Sequence, residues 1–214
     1  MKNPVQTMAK FATMLLVASI SVVSCKKKTE TPAPVENEDI TTVLVTFKNP
    51  AVASDSVVYR AFFSKGYTQA ATTPAVYSVT STKTALTKGI TYNATVKLLN
   101  ALVTPEENVT EAVIDPNPAA GSEEGGINHQ LYYGFNSAFT SLAYADTDNN
   151  GKPIGVKITV TTSATPTTAG SFDLKLIHKP NKSQNMATTP YMYMASTIGG
   201  STDVDVRFPN IVVQ

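Results

Sequence analysis

The chain has 214 residues, with 17 Lys and Arg against 16 Asp and Glu and a formal net charge of +1. That balance argues against a nucleic-acid partner, which would call for a basic patch or stripe. One cysteine and no tryptophan exclude a disulfide framework and the Cys-Trp-Cys core of antibody domains.

Lys2 and Lys10 open the chain, and Phe11 to Val23 is apolar apart from Thr13, Ser19 and Ser21. Ser24 then precedes Cys25, so residues 1–24 have the order of a secretory signal peptide. A membrane-spanning helix needs roughly 20 apolar residues, and this run stops short of that at Lys26-Lys27-Lys28. Val22-Val23-Ser24-Cys25 resembles the lipobox of bacterial lipoproteins. The resemblance implies diacylglycerol transfer to the Cys25 sulfur, cleavage after Ser24 and acylation of the new amino group. One acyl chain holds a membrane only marginally, at about 0.8 kcal/mol per buried methylene, so a triacylated Cys25 would be a lasting anchor. A free exposed thiol would be a liability in an oxidising compartment, and lipidation removes it. Loss of Lys2 and Lys10 with the leader turns the formal charge from +1 to −1.

Residues 25–38 read as the lipidated cysteine and a tether. Between Lys26 and Asp39 only Val35 is a branched aliphatic, alongside Pro32, Pro34, Glu30, Glu36 and Glu38. Such a segment buries too little apolar surface to offset its ordering entropy. Lys26 to Lys28 would lie against the headgroups, each adding about 1 kcal/mol at an anionic surface. A basic rather than acidic start after the cysteine leads us to expect the periplasmic face of the outer membrane, with the cell surface as the alternative.

Residues 39–214 read as one folded domain. Period-two alternation marks half-buried strands. It runs through Val43, Val45 and Phe47; Tyr92, Ala94, Val96 and Leu98; Val156, Ile158 and Val160; Phe172, Leu174 and Leu176; and Val204, Val206 and Phe208. In the last of these, Asp203, Asp205 and Arg207 fall on the polar face. Val57 to Phe63 and Leu131 to Phe135 also read as strands. Thr104-Pro105-Glu106-Glu107 has the form of a capping box with proline at the first helical position, and β-branched Val109 and Thr110 keep the expected helix short. Pro116 to Gly126 reads as a flexible loop and Thr161 to Gly170 as a Thr-rich hairpin connection. The expected fold is all-β, an antiparallel immunoglobulin-like β-sandwich with one short helix.

Candidate sites are few. Asp146-Thr147-Asp148-Asn149-Asn150-Gly151 places oxygen ligands at alternate positions before a turn glycine, like the first half of a calcium loop. The twelfth position is Lys157, which rules out an EF-hand, and Asn150-Gly151 is equally a hairpin turn signal. A calcium site at Asp146, Asp148 and Asn150 therefore stands beside a plain turn. His129 shares strand parity with Leu131 and Tyr133, and His178 with Leu174 and Leu176, so both point to the core side near strand ends. Packed, hydrogen-bonded imidazoles are one reading; the other is ligand binding at His129 and His178, as axial ligands of haem or the start of a metal site, although zinc needs a third protein ligand. Tyr191-Met192-Tyr193-Met194 reads as core filling or as an exposed platform. There is no Gly-x-Ser-x-Gly elbow, His-Glu-x-x-His helix or phosphate-binding glycine loop, and Glu106-Glu107 and Glu123-Glu124 are adjacent acids rather than a pair set across a cleft.

Several stretches together resemble a known family. They are Asn37 to Val43, Leu99-Asn100 with Pro105 to Glu111, His129 to Tyr133, Tyr144 to Gly155 and Leu176 to Lys182. Their order is similar to that in small Bacteroidota-type lipoproteins labelled "type 1 periplasmic binding fold superfamily protein". The label implies an α/β sugar-binding fold, which the period-two strands contradict, and the resemblance brings no reaction and no catalytic residues. The expectation is a noncatalytic, lipid-anchored envelope protein that binds a small ligand or an envelope protein through its loops. The alternatives are haem or metal capture through His129 and His178, or hydrolysis of an envelope polymer.

Overall fold

Antiparallel strands and one short helix build the computed structural model, which describes residues 39–119, 122, 124–183 and 198–214. The leader with Cys25, the tether and Tyr191 to Met194 lie outside the described residues. One sheet contains β1 (Thr42–Lys48), β2 (Ser56–Phe62), β3 (Val76–Val79), β4 (Thr91–Leu99), β6 (Phe139–Tyr144) and β7 (Lys157–Thr162), in the order β3-β2-β1-β4-β7-β6. The other contains β5 (His129–Phe135), β8 (Thr167–His178) and β9 (Ser201–Val213), in the order β5-β8-β9. The chain is thus an all-β sandwich, not the α/β fold of the family label. Its division into six strands and three differs from the four and three of an antibody constant domain.

The alternation sets the register. Val43, Val45 and Phe47 of β1 stand opposite Leu98, Val96 and Ala94 of β4 and opposite Ala61, Tyr59 and Val57 of β2, so three strands present one continuous apolar face. All nine of these side chains are buried. Phe172 of the smaller sheet closes the layers: its ring meets Phe47 edge-on at 5.4 Å and Phe139 at 5.5 Å, while Phe47 stacks on Phe139 at 5.8 Å. Aromatic pairs of this kind add about 0.5–1.5 kcal/mol beyond their burial.

The structure departs from the sequence reading in four places. The capping box does not cap, because Glu107 is drawn into a two-way backbone bridge with Asn100 and stays extended. Helix α1 (Val109–Ile114) starts one residue after Asn108, whose Nδ2 donates to Glu111 Oε1 at 2.7 Å. Thr110 fixes that helix to β4, accepting from Leu98 N at 2.7 Å and donating to Leu98 O at 3.2 Å. Thr161 to Gly170 is not a hairpin: β7 and β8 belong to different sheets, and the segment crosses between them. β3 and β6 carry no clean alternation, since β3 is an edge strand with Val76 and Tyr77 exposed and β6 buries Phe139 alone. Finally, Asp203 is buried rather than on the polar face.

Candidate functional site

β5 begins at His129 and β8 ends at His178, and the two residues are direct cross-strand partners. Shared parity therefore places both imidazoles on one side of the smaller sheet, where they are 3 % and 7 % exposed. The rings stack with centroids 4.9 Å apart and planes 11° apart. His129 Nδ1 lies 3.1 Å from Gly125 O. A carbonyl oxygen only accepts, so Nδ1 carries the proton, and in the neutral ring Nε2 is left as the basic nitrogen. Gly125 takes a φ of +96°, and a side chain there would run into Asp115 O and Pro118, so glycine lets the loop bring its carbonyl to the ring.

Asp203 completes the group. The β8–β9 ladder pairs Leu176 with Val204 but Ile177 with Thr202, so Asp203 is the extra residue of a β-bulge. A bulge re-aims the side chain it carries, and here it brings the carboxylate to 3.7 Å from His129 Nε2 while burying it. This is longer than a hydrogen bond, and neither carboxylate oxygen of Asp203 has a hydrogen-bond partner among the described residues. Burial pushes its pKa up from 3.8 to about 7. One ligating atom from each of His129, His178 and Asp203 lies within 4.8 Å of the other two. Lys179, which follows His178, and Gly199 and Gly200 are exposed, and Gly200 packs closely against the His178 carbonyl.

The aspartate loop is organised differently. β6 and β7 form an antiparallel hairpin with its turn at Asp148 to Gly151, closed by Gly151 N donating to Asp148 O at 2.9 Å. Asp146 accepts from Gly155 N at 2.7 Å and Lys157 N at 2.9 Å. Asp148 accepts from Asn150 N and Lys152 N, each at 2.9 Å, and from Lys182 Nζ at 2.9 Å. Lys182 Nζ also donates to Pro153 O at 3.1 Å and to Gly126 O. Burial raises the Asp148 pKa, but these donors outweigh it and leave the carboxyl below its ordinary value. An ammonium thus stands among the oxygens a calcium ion would use, and Asn150 enters through its backbone N–H.

Parity could place both histidines on the core side, but not across from each other, because strand order and register are tertiary facts. Asp203 was missed outright: a strict alternation rule puts it outside, and no local signal marks the bulge. Side-by-side stacked rings also differ from the opposed pair that axial ligation of a planar haem requires, in which the nitrogens face each other across the macrocycle. No protein-family model, curated protein or solved structure matches the chain.

Proposed function

We propose that the chain is a lipid-anchored envelope protein that works by binding, and that its binding centre is the His129–His178–Asp203 end of the smaller sheet. One observation carries the reading. Among the described residues three acids are buried, Asp55, Asp148 and Asp203. Asp55 and Asp148 are saturated with donors, whereas Asp203 faces two imidazoles with neither oxygen hydrogen-bonded among the described residues. A buried carboxylate left in that condition costs free energy unless a further group completes it. The hydrolase reading has less support at the groove lined by Tyr144, Asp146 and Pro153, since Asp146 is the acid in that lining and its two oxygens accept from the backbone N–H groups of Gly155 and Lys157. The leader and Cys25 supply the anchor in this proposal.

Metabolic labelling with an alkyne-bearing fatty acid in a Gram-negative host tests the anchor. The wild-type chain takes the label and sediments with the outer membrane, while Cys25→Ser does neither. An unlabelled wild-type chain recovered in the soluble fraction refutes the anchor.

A further inference from the structure

We infer that His129, His178 and Asp203 form an open three-ligand site for a divalent first-row transition metal such as zinc, cobalt(II) or iron(II). The inference rests on the binding reading above and is independent of the anchor.

The donor set selects the class. Two imidazoles and one carboxylate suit borderline metals, and the same set serves zinc in catalytic centres and iron(II) in the two-histidine, one-carboxylate triad. Calcium and magnesium want shells made of oxygen, and copper(I) wants sulfur. Three protein ligands leave at least one position for water or a captured ligand.

The donor atoms stand near bonding separation. Metal–nitrogen and metal–oxygen bonds of about 2.0–2.2 Å place tetrahedral ligand atoms about 3.4 Å apart. His129 Nε2 and Asp203 Oδ2 stand at 3.7 Å, and no pair of the three ligating atoms exceeds 4.8 Å. His129 already has the outer partner common to metal-binding histidines, since the Gly125 carbonyl fixes its proton on Nδ1 and directs Nε2 to the ion. A metal lies in the plane of each imidazole that binds it, and two planes 11° apart in a stack do not meet at one ion. His129 is held by Gly125, so closing the site turns the His178 ring out of the stack. The three ligands arise from three neighbouring strands at one sheet end, so their backbones are fixed and the His178 ring is the part that moves.

Cobalt(II) is titrated into the purified full chain in detergent after chelator treatment, with d–d absorption, zinc competition and histidine ring-proton NMR as readouts. We expect visible bands that saturate at one equivalent, displacement by zinc, and movement of both histidine ring signals at the same stoichiometry. Asp203→Asn keeps the side-chain volume and weakens binding at least 100-fold, while Asp173→Asn, at the exposed Arg207 pair, leaves it unchanged. Circular dichroism confirms that the variants fold; if Asp203→Asn does not, His178→Gln carries the comparison. Absence of saturable bands overturns the inference, as does binding that Asp203→Asn or His178→Gln leaves at wild-type strength. A labelled, membrane-bound chain that binds no cobalt or zinc retains the anchor and loses the metal.

Discussion

Replacing Asp55 by asparagine removes the best-satisfied buried charge in the sandwich. Asp55 closes the β1–β2 connection, and its carboxylate accepts from Lys83 Nζ at 2.5 Å, Tyr92 Oη at 2.7 Å, Asn49 Nδ2 at 2.9 Å and Thr87 Oγ1 at 3.1 Å. Burial alone would raise its pKa, but the bonds to Lys83, Asn49, Tyr92 and Thr87 prevail and lower it from 3.8 to about 2. A depressed carboxyl binds its proton more weakly in the folded chain than in the unfolded one. Its contribution is therefore complete above the unfolded value of 3.8 and disappears as pH falls through about 2. At about 1.4 kcal/mol per pKa unit, the charge contributes about 2 kcal/mol at neutral pH. Asp55→Asn also turns an amide donor toward Lys83 or Tyr92, so the expected loss is about 2–3 kcal/mol. Urea unfolding at pH 7 measures it, and repetition at pH 2 isolates the charge, because the wild-type advantage from ionisation should there shrink to under about 0.5 kcal/mol. A loss below about 0.5 kcal/mol at pH 7, or an equal loss at both pH values, refutes this account of the cluster.

Two further substitutions probe the other buried acids. In chelator-treated protein Asp203→Asn should raise stability, because burial lifts the carboxyl from 3.8 to about 7 and the wild-type fold is penalised as pH rises across that window. The gain reaches up to about 4 kcal/mol at pH 8 and vanishes below pH 4, and urea unfolding at the two pH values reads it directly. Lys182→Met leaves the Asp148 charge buried with only backbone donors, an expected loss of about 3–5 kcal/mol in the same assay, part of which Asp148→Asn in the double variant should restore.

The sandwich was legible because burial on one face of a strand writes itself into the sequence every second residue. The alternations Val43 to Phe47 and Tyr92 to Leu98 fall inside β1 and β4 for that reason, both strands having one core face and one polar face. β5 is buried on both faces up to Phe135 and shows no alternation, so only its aromatic end was visible. β3 escapes for the opposite reason, as an edge strand with little burial at all. Local signals were weakest where long-range bonds overrode them. The Thr104–Glu107 box is a sound helix start in isolation, but two backbone bonds to Asn100 hold Glu107 in extended form. At the site, parity gave the side of the sheet on which the histidines lie, while their pairing depends on β5 lying next to β8, which residue spacing does not encode. The bulge that turns Asp203 inward exists only as a mismatch between β8 and β9.

The three buried acids separate structural from functional use of charge. Asp55 ties the β1–β2 connection to Lys83, Thr87 and Tyr92, and Asp148 ties the β6–β7 turn to Lys182; in each case a cation and several donors offset desolvation. Their removal should lower stability, as expected of groups that hold loops in place. Asp203 stands at the bulge against His129, with no lysine or arginine paired to it among the described residues, and its removal should raise the stability of the metal-free chain. In the metal proposal, the cost that Asp203 imposes on the empty fold is offset by the ion the site takes up. A divalent ion would satisfy the carboxylate and both imidazoles together, and the free energy of binding would then stabilise the same sheet end that Asp203 destabilises.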